Sequence, residues 1–273
     1  MDANHKLAGK NVLVTAGAQG IGETITRHLI DTGANVAIHY FSSADTANEL
    51  VTYATGKGQK ALAISGDLTQ ETDANAMVEQ TVAALGGLDI LINNAGSLVA
   101  RKHLSEMKTD FWHKVMDINM TSMMFVTRAA APHLAKHDGS SIVNLASLAG
   151  RKGGHAGSLV YSTSKGAILT FTRALASELG PQGTRVNAVA PGLILGTSFH
   201  DTHTTKESAA ATIAGHPDRA RRQRRGRGPG GGVPGLGVRR VYHRRDAGHQ
   251  RRRLQHVAQR ARADRFRPES LSC

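Results

Sequence analysis

A tyrosine and a lysine four residues apart, Tyr161 and Lys165 in the segment YSTSK, could together move a proton. If the segment is helical, residues at this spacing share one face. An unperturbed phenol has a pKa of about 10 and is a poor acid or base at neutral pH. A neighbouring ammonium favours the phenolate and lowers that pKa, which would suit general acid–base catalysis. The same pair is also compatible with an ordinary solvated helix face.

Two further polar residues could assist such chemistry. Ser147 closes the apolar run SIVNLAS, so its hydroxyl could hydrogen-bond a substrate carbonyl at the end of a strand. Asn119, in the segment DINM, could hold a water molecule that connects Lys165 to solvent. Each residue also has a structural interpretation, as a helix cap or as a satisfied core amide.

A glycine-rich segment near the N-terminus, TAGAQGIG from Thr15, is a candidate phosphate-binding turn. Glycines let the backbone approach a pyrophosphate, and the unpaired N–H groups of a helix N-terminus favour an anion. A glycine-rich turn alone is a weak signal, because ordinary strand-to-helix turns share it. The residues expected to contact a dinucleotide here are Gly17, Gln19, Gly20, Ile21 and Gly22.

Small and polar residues also follow later apolar runs. In the segment NNAG, the residues Asn94, Ala95 and Gly96 would let the adenine-side ribose of a dinucleotide lie against a sheet. Asp67 follows another run and could accept a hydrogen bond from the adenine or from a backbone amide. Each of these segments could instead be a simple turn.

Hydrophobic patterning indicates the framework that positions these residues. Segments such as 72–85 and 111–137 place apolar residues at helical spacing between short apolar, β-branched runs. Alternation of strands and helices at these lengths predicts an α/β fold with a doubly wound, Rossmann-like parallel sheet, which binds ligands at the carboxyl ends of its strands. Six predicted strands begin at Asn11, Asn35, Ala61, Leu88, Ser141 and Arg185.

Charge divides the chain into two parts. The 273 residues carry a net charge of +13, but all of the excess lies in residues 216–273, which contain 17 arginines, no lysine and four acidic residues. That segment has no periodicity and few large apolar side chains, so it cannot bury enough surface to fold alone. We therefore predict a dinucleotide-binding domain over residues 1–215 and a disordered tail over 216–273.

Cysteine usage and hydropathy bear on location. Cys273 is the single cysteine, so an intrachain disulfide is excluded and a reducing compartment is expected. The sequence shows neither an apolar leader nor a stretch that could span a bilayer. We expect a cytoplasmic protein that does not associate with membranes.

The order, strand context and spacing of these motifs resemble the classical short-chain dehydrogenase/reductase family. The similarity includes the family's 3-oxoacyl-carrier-protein reductase members and runs from about Lys6 to Gly215. The matching features are the glycine-rich turn, Asp67, NNAG, Asn119, Ser147, Tyr161, Lys165 and the PG pair Pro191–Gly192. One departure is Ala16, which stands where the family turn usually has glycine and predicts that the turn could differ in shape.

This resemblance implies an enzyme that transfers a hydride between a nicotinamide cofactor and a small carbonyl or alcohol substrate, with no metal. Tyr161 would exchange the proton with the substrate oxygen, while Lys165 would lower its pKa and bind the nicotinamide ribose. Ser147 would orient the carbonyl, and Asn119 would support the proton relay. The family's terminal region helps to bury a subunit interface, so a protein with a complete terminus is expected to form a homo-oligomer, usually a tetramer.

The end of the second strand bears on the choice of cofactor. NAD-dependent enzymes commonly place an acidic residue there to bind the ribose 2′-OH. Here the segment reads HYFSS, with no carboxylate to repel a 2′-phosphate and with Ser42 and Ser43 available as donors. We therefore expect NADP, with NAD as the alternative.

The arginine-rich tail does not resemble the family's terminal helix and seventh strand, which end in a pattern like FITGxxLxxxGG. If codons 233–252 are read one base later, codon degeneracy permits FLASESAAFITGETLDINGG, which has that ending. This favours a frameshift product in which the last strand is missing. The alternative is a nucleic-acid-binding protein whose arginine arm contacts phosphates, against which stand the absence of lysine and the scarcity of aromatic residues.

Overall fold

The secondary structure follows the predicted alternation of strands and helices. The computed structural model describes residues 7–194 and Glu207. The strands are β1 (Asn11–Val14), β2 (Asn35–Tyr40), β3 (Ala61–Ser65), β4 (Ile90–Asn93), β5 (Ser141–Leu145) and β6 (Arg185–Val189). The helices are α1 (Gly20–Asp31), α2 (Ala44–Thr55), α3 (Glu71–Leu85), α4 (Thr109–Met116), α5 (Ser122–Leu134), α6 (Ala149–Lys152) and α7 (Leu159–Leu179).

The strands form one parallel sheet in the order β3-β2-β1-β4-β5-β6. The strand order reverses between β1 and β4, where the connections leave in opposite directions. Such a reversal opens a crevice at the carboxyl ends of the two strands. The prediction of a doubly wound, Rossmann-like α/β fold is therefore confirmed.

Both faces of the sheet are buried, as a parallel sheet requires. Successive residues of a strand point to opposite faces. Val12 and Val14 therefore pack in one apolar cluster with residues of α1 and α2. Leu13 packs in a second cluster with residues of α3, α5 and α7. Burial on both faces fixes the strands and so fixes the residues that follow their carboxyl ends.

A buried chain of amides and hydroxyls ties α7 to the centre of the sheet. The Asn93 side chain donates from Nδ2 to Oδ1 of Asn144 at 2.9 Å, which links β4 to β5. The Asn144 side chain donates from Nδ2 to Oγ1 of Thr172 in α7 at 3.0 Å. Buried polar groups are costly unless they are paired, so this network specifies one position for α7 along the sheet.

Strand β6 is the outermost strand on its side of the sheet within residues 7–194. The predicted domain boundary at residue 215, the arginine-rich tail and the place of a seventh strand all lie outside the described residues. Among the helices of the described part, none has both the length and the apolarity needed to cross a bilayer.

Candidate active site

Helix α7 carries the tyrosine and lysine that the sequence singles out. In the structure, Nζ of Lys165 lies 5.8 Å from the centre of the Tyr161 ring. The helical spacing thus places both groups on one face of α7, and this face points toward the carboxyl end of β5. The buried polar network of Asn144 and Thr172 holds the helix in that place.

The Lys165 ammonium is buried. Only 4% of the residue is exposed, and Nζ donates a hydrogen bond to the carbonyl oxygen of Leu145 at 2.9 Å. Burial disfavours the charged form of an amine. It lowers the pKa of Lys165 from 10.5 to about 8.

The pKa of the Tyr161 phenol is shifted upward, opposite to the expected direction. Burial raises its pKa above the ordinary value, and a side-chain hydrogen bond with Ser147 opposes this effect only in part. The expectation that Lys165 lowers the pKa of Tyr161 is therefore not met by the protein alone. The desolvation of the phenol outweighs its polar contacts, and Tyr161 is a neutral acid at neutral pH.

Ser147 lies two residues beyond the end of β5, next to the phenol. Besides its hydrogen bond with Tyr161, its Oγ accepts a hydrogen bond from the backbone N–H of Ala149 at 3.1 Å. That second contact fixes the hydroxyl at the start of α6. The serine, tyrosine and lysine named from the sequence thus meet at one edge of the sheet.

Asn119 sits in a single π-helical turn, Asp117–Thr121, between α4 and α5. It is fully buried, and its Nδ2 donates to the carbonyl oxygens of Ser97 at 2.7 Å and Val115 at 2.9 Å. Its Oδ1 accepts from the N–H of Ser97 at 3.2 Å. The amide therefore holds the segment after β4 against the helices.

Gly96 lies beside both Asn119 and Lys165. A Cβ atom added to this glycine would be 2.7 Å from Oδ1 of Asn119 and 2.8 Å from Nζ of Lys165. The amide oxygen and the ammonium are therefore close neighbours, and only a residue without a side chain fits between them. This placement is compatible with a proton path from Lys165 past Asn119.

The glycine-rich turn connects β1 to α1 and leaves the start of α1 open. Gln19 caps this helix without a side-chain hydrogen bond. The first N–H groups of a helix have no partner within it, so those of Gly20, Ile21 and Gly22 are available to an anion. Ala16 adopts φ +49°, so it takes up the left-handed conformation although it is not glycine.

Segment NNAG braces this turn from the neighbouring strand. The Asn94 Nδ2 group donates to the carbonyl oxygens of Thr15 at 3.1 Å and Ala16 at 3.0 Å. The Thr15 hydroxyl oxygen accepts from the N–H groups of Asn94 and Ala95, both at 2.9 Å. A Cβ atom on Gly22 would lie 2.0 Å from the Ala16 carbonyl oxygen, so α1 packs directly on the turn.

Two of the predicted cofactor contacts already have partners in the protein. The Gly17 N–H donates to the carbonyl oxygen of His39 at 2.8 Å, and the Gly17 carbonyl oxygen accepts from Oγ1 of Thr26 at 2.9 Å. Asn94 braces the turn as described above. Both residues therefore shape the turn, whether or not they also touch a ligand.

The remaining predicted contacts line the same edge of the sheet. Asp67 follows β3, and its Oδ1 accepts from both the N–H and the hydroxyl of Thr69. Ser42 is exposed after β2, and the Ser43 hydroxyl donates to Oε1 of Gln19 at 3.4 Å. Pro191 and Gly192 follow β6, where the Pro191 carbonyl oxygen accepts from the N–H of Leu148 at 2.9 Å.

A short backbone pairing lies next to the start of α7. The N–H of Lys102 donates to the carbonyl oxygen of Gly157 at 2.9 Å, and Lys102 and Ser158 form an isolated parallel bridge. This joins the segment after β4 to the loop that enters α7, two residues before Tyr161.

Three contributors were missed at the sequence level: Thr15, Ser97 and His39. Thr15 and Ser97 act through hydroxyl or backbone contacts that no residue pattern encodes. His39 could have been noticed as a titratable residue inside the apolar run NVAIHY.

The sequence model of the short chain dehydrogenase family matches residues 10–208. This range contains every predicted site residue. It ends before the arginine-rich tail.

Curated relatives agree with this match. The chain is 40% identical over 189 residues to the uncharacterized oxidoreductase YhxC of Bacillus subtilis (strain 168), covering 69% of this chain and 65% of that protein, slightly less than two thirds. It is 34% identical over 186 residues to the 3-oxoacyl-[acyl-carrier-protein] reductase FabG of Staphylococcus aureus (strain Mu50 / ATCC 700699), covering 68% of this chain and 75% of that protein.

A solved structure shares the fold. A short chain dehydrogenase from Burkholderia cenocepacia J2315, in complex with NADP, superposes with a TM-score of 0.70 at 35% identity. The match covers 75% of this chain and 82% of that one.

Proposed function

This chain belongs to the short-chain dehydrogenase family, and from that premise we propose that it is an oxidoreductase that transfers a hydride between NADP(H) and a carbonyl or alcohol substrate. The observation that carries the proposal is the meeting of Ser147, Tyr161 and Lys165 at the carboxyl end of β5. This group lies at the same sheet edge as the open start of α1. Proton transfer and dinucleotide binding can therefore occur side by side.

The residues at the turn fit a dinucleotide. The start of α1 offers N–H groups with no side-chain cap, and it carries the positive end of the helix dipole. Gly22 allows this helix to reach the turn, because a side chain there would overlap the Ala16 carbonyl. We assign the pyrophosphate to Gly20, Ile21 and Gly22, and the nicotinamide cofactor supplies the hydride when it is bound.

Tyr161 acts as the proton donor in reduction. Burial raises the pKa of the phenol, so the neutral form required of a donor prevails at neutral pH. In the oxidation direction the same group must first lose its proton, which the buried environment resists. At neutral pH the folded protein therefore presents Tyr161 in the protonated form that carbonyl reduction uses.

Ser147 and Lys165 support this donor in different ways. The Ser147 hydroxyl already hydrogen-bonds Tyr161, so it is placed to bind the same substrate oxygen and orient the carbonyl. The Nζ group of Lys165 lies 5.8 Å from the centre of the Tyr161 ring and is a neighbour of the Asn119 amide oxygen beside Gly96. We assign Lys165 and Asn119 to the path that returns a proton to Tyr161.

NADP is the proposed cofactor, and NAD is the alternative. Three residues after β2, Phe41, Ser42 and Ser43, include no carboxylate. The Ser43 hydroxyl donates to Oε1 of Gln19 beside the turn, so the Nε2 group of Gln19 and the exposed Ser42 hydroxyl can donate to a 2′-phosphate. The dehydrogenase from Burkholderia cenocepacia with the same fold was solved with NADP, which supports this choice.

The proposal is tested by incubating the purified full chain with NADPH and a panel of ketones and aldehydes. Consumption of NADPH by the wild type and its loss in the Tyr161→Phe variant is the expected result. A variant that retains the wild-type rate would exclude Tyr161 as the proton donor.

A further inference from the structure

The side chain of His39 bridges two turns at the nucleotide-binding edge. His39 lies in β2, between β1 and β3 in the sheet, and only 3% of it is exposed. Its Nδ1 is 3.0 Å from the backbone nitrogen of Ala16 in the glycine-rich turn. Its Nε2 is 3.1 Å from the carbonyl oxygen of Gly66, the residue before Asp67.

These two contacts allow a single protonation state. The Ala16 N–H can only donate, so Nδ1 must carry a lone pair. The Gly66 carbonyl can only accept, so Nε2 must carry the proton. His39 is therefore the neutral Nε2–H tautomer, and a second proton would place an N–H group directly against the N–H of Ala16.

The turn held by His39 is one that needs support. Ala16 is in the left-handed region at φ +49°, which costs a residue with a side chain about 1 kcal/mol or more. The next peptide is held as well, because the Gly17 N–H donates to the His39 carbonyl at 2.8 Å. The His39 side chain thus holds the peptide before Ala16, and the His39 backbone carbonyl holds the peptide after it.

The position of Ala16 is transmitted to the start of α1. Its carbonyl oxygen accepts from Asn94 at 3.0 Å and occupies the space where a Gly22 side chain would be. Without the Nδ1 acceptor for its N–H, Ala16 would be able to change its φ angle, and its carbonyl oxygen would then move against Gly22. The N–H groups that we assign to the pyrophosphate would then shift.

We propose that His39, in its neutral Nε2–H form, is a positioning residue that holds the glycine-rich turn in the shape that binds the dinucleotide. This inference rests on the proposed function, since it concerns the affinity for that ligand. It assigns different roles to the two ring nitrogens. The Nδ1 contact supports binding, whereas the Nε2 contact fixes the ring.

Lowering the pH tests the Nδ1 contact independently, because protonation of Nδ1 removes the lone pair that accepts from Ala16. Burial lowers the pKa of His39 below 6.5, while the nearby Asp67 carboxylate and the Gly66 carbonyl oppose that shift. The neutral form therefore prevails at pH 7, and the second proton binds only in more acidic solution. Dinucleotide affinity should be constant at neutral pH and should fall as the pH drops through the folded-state pKa of His39.

Two substitutions separate the nitrogens. The side-chain oxygen of His39→Asn can take the place of Nδ1 and accept from Ala16, but it cannot reach Gly66. The longer amide of His39→Gln can take the place of Nε2 and donate to Gly66, but it leaves the Ala16 N–H without its acceptor. Each variant loses one buried hydrogen bond. If the role of His39 were only structural, the two substitutions would therefore reduce dinucleotide affinity equally.

The experiment is calorimetric titration of the full-length wild type and both variants with NADP⁺ and NAD⁺ at neutral pH. We expect His39→Gln to bind about tenfold more weakly, the factor that corresponds to one lost hydrogen bond. His39→Asn should stay within about threefold of the wild type, while both melting temperatures fall by similar amounts. Equal loss of affinity in the two variants would overturn the inference.

The titrations at acidic pH use NAD⁺. Unlike NADP⁺, NAD⁺ has no phosphate monoester whose charge changes in the acidic range. Affinity should fall in acid for the wild type and remain flat for His39→Asn. Nitrogen NMR of the His39 ring provides a readout without any ligand: protonated Nε2 and unprotonated Nδ1 support the inference, and the reverse tautomer overturns it. If His39→Gln does not fold, the titrations at acidic pH and the NMR spectrum decide.

These outcomes distinguish the two proposals. If the wild type binds neither dinucleotide, the proposed function fails and the inference fails with it. If the wild type binds but the variants do not separate, only the role of His39 is refuted.

Discussion

Lys165 donates a hydrogen bond from its buried Nζ to the carbonyl oxygen of Leu145, the last residue of β5. This contact holds a charged group out of water, with Nζ 5.8 Å from the centre of the Tyr161 ring. The protein thus maintains an ammonium where folding alone would favour a neutral side chain. Such a conflict between stability and activity is common at catalytic sites.

The first prediction concerns the stability cost of Lys165. A pKa of about 8 instead of 10.5 corresponds to a penalty of about 3 kcal/mol at neutral pH, at about 1.4 kcal/mol per pKa unit. After the loss of the Leu145 hydrogen bond is allowed for, Lys165→Met should raise the free energy of unfolding at pH 7 by about 1–3 kcal/mol while abolishing activity. Urea denaturation measures this change.

The gain should depend on pH with a defined sign. Between pH 8 and 10.5 the unfolded chain binds more protons at Lys165 than the folded chain does. Wild-type stability therefore rises with pH across this window, and the advantage of Lys165→Met should shrink. Lys60→Met, at an exposed position, is the control and should show neither effect. A destabilised Lys165→Met variant at pH 7 would contradict the argument.

The second prediction concerns the proton donor. Tyr161→Phe should reduce kcat/KM for carbonyl reduction by about 10² to 10⁴, the usual contribution of a general acid. Because the pKa of Tyr161 is raised above 10.0, the wild-type reduction rate should not decline from Tyr161 ionisation until the solution is strongly alkaline. Tyr53→Phe, which removes an exposed hydroxyl bonded to Asp31, should leave the rate unchanged.

The third prediction concerns the close approach of α1 to the turn. In Gly22→Ala the new methyl group would lie 2.0 Å from the Ala16 carbonyl oxygen, which is backbone and cannot rotate away. We expect a loss of dinucleotide binding and a destabilisation of about 2 kcal/mol or more, as for overpacked cores. Gly56→Ala, at a helix end with φ −61°, is the matched control and should be nearly neutral in thermal melts.

The fourth prediction concerns cofactor choice. The wild type should turn over NADPH faster than NADH at equal concentration. A carboxylate introduced by Ser43→Asp should repel a 2′-phosphate and weaken NADP⁺ binding by about tenfold, while NAD⁺ binding changes little. Ser177→Asp, an exposed position near the end of α7, controls for the added charge. A clear wild-type preference for NADH would refute the assignment.

The fifth prediction concerns the arginine-rich tail. We propose that residues from about 216 onward are a frameshift product, so a corrected gene should encode the family's last helix and strand. The corrected chain should melt at a higher temperature, turn over faster and form a homo-oligomer, because an unpaired edge strand is a liability. Resequencing that finds one intact frame would refute the frameshift hypothesis. Salt-sensitive binding of the present chain to RNA would favour the alternative of a nucleic-acid-binding arginine arm.

Much of the fold could be predicted because its signals are local. β1, β2 and β3 are apolar runs between turn residues, and the structure places them within a residue of the predicted bounds. The prediction for β5 extended through Ser147, but pairing ends at Leu145, since the chain must leave the sheet to place the serine beside Tyr161. Local pattern cannot indicate where tertiary contacts end a strand.

The structure brings together the candidate residues named from the sequence, but their electrostatics differ from the expectation. Residue types and spacing made Ser147, Tyr161 and Lys165 candidates, and the family resemblance gave them their expected roles. The predicted direction of the Tyr161 pKa shift was wrong. This shift depends on how far folding removes water from the phenol, which the sequence does not show. The conformation of Ala16 was also unexpected in detail, since the supporting contact comes from His39, which lies 23 residues away in sequence.

The pairing of Lys102 with Gly157 and Ser158 joins two segments of the chain that are far apart in sequence. Lys102 lies in the segment that follows β4, and Gly157 and Ser158 belong to the loop that precedes Tyr161 in the chain. Substitutions within residues 97–103 that displace Lys102 would also displace that loop. A change on one side of this pair therefore bears on the position of Tyr161, and it would need a compensating change on the other side.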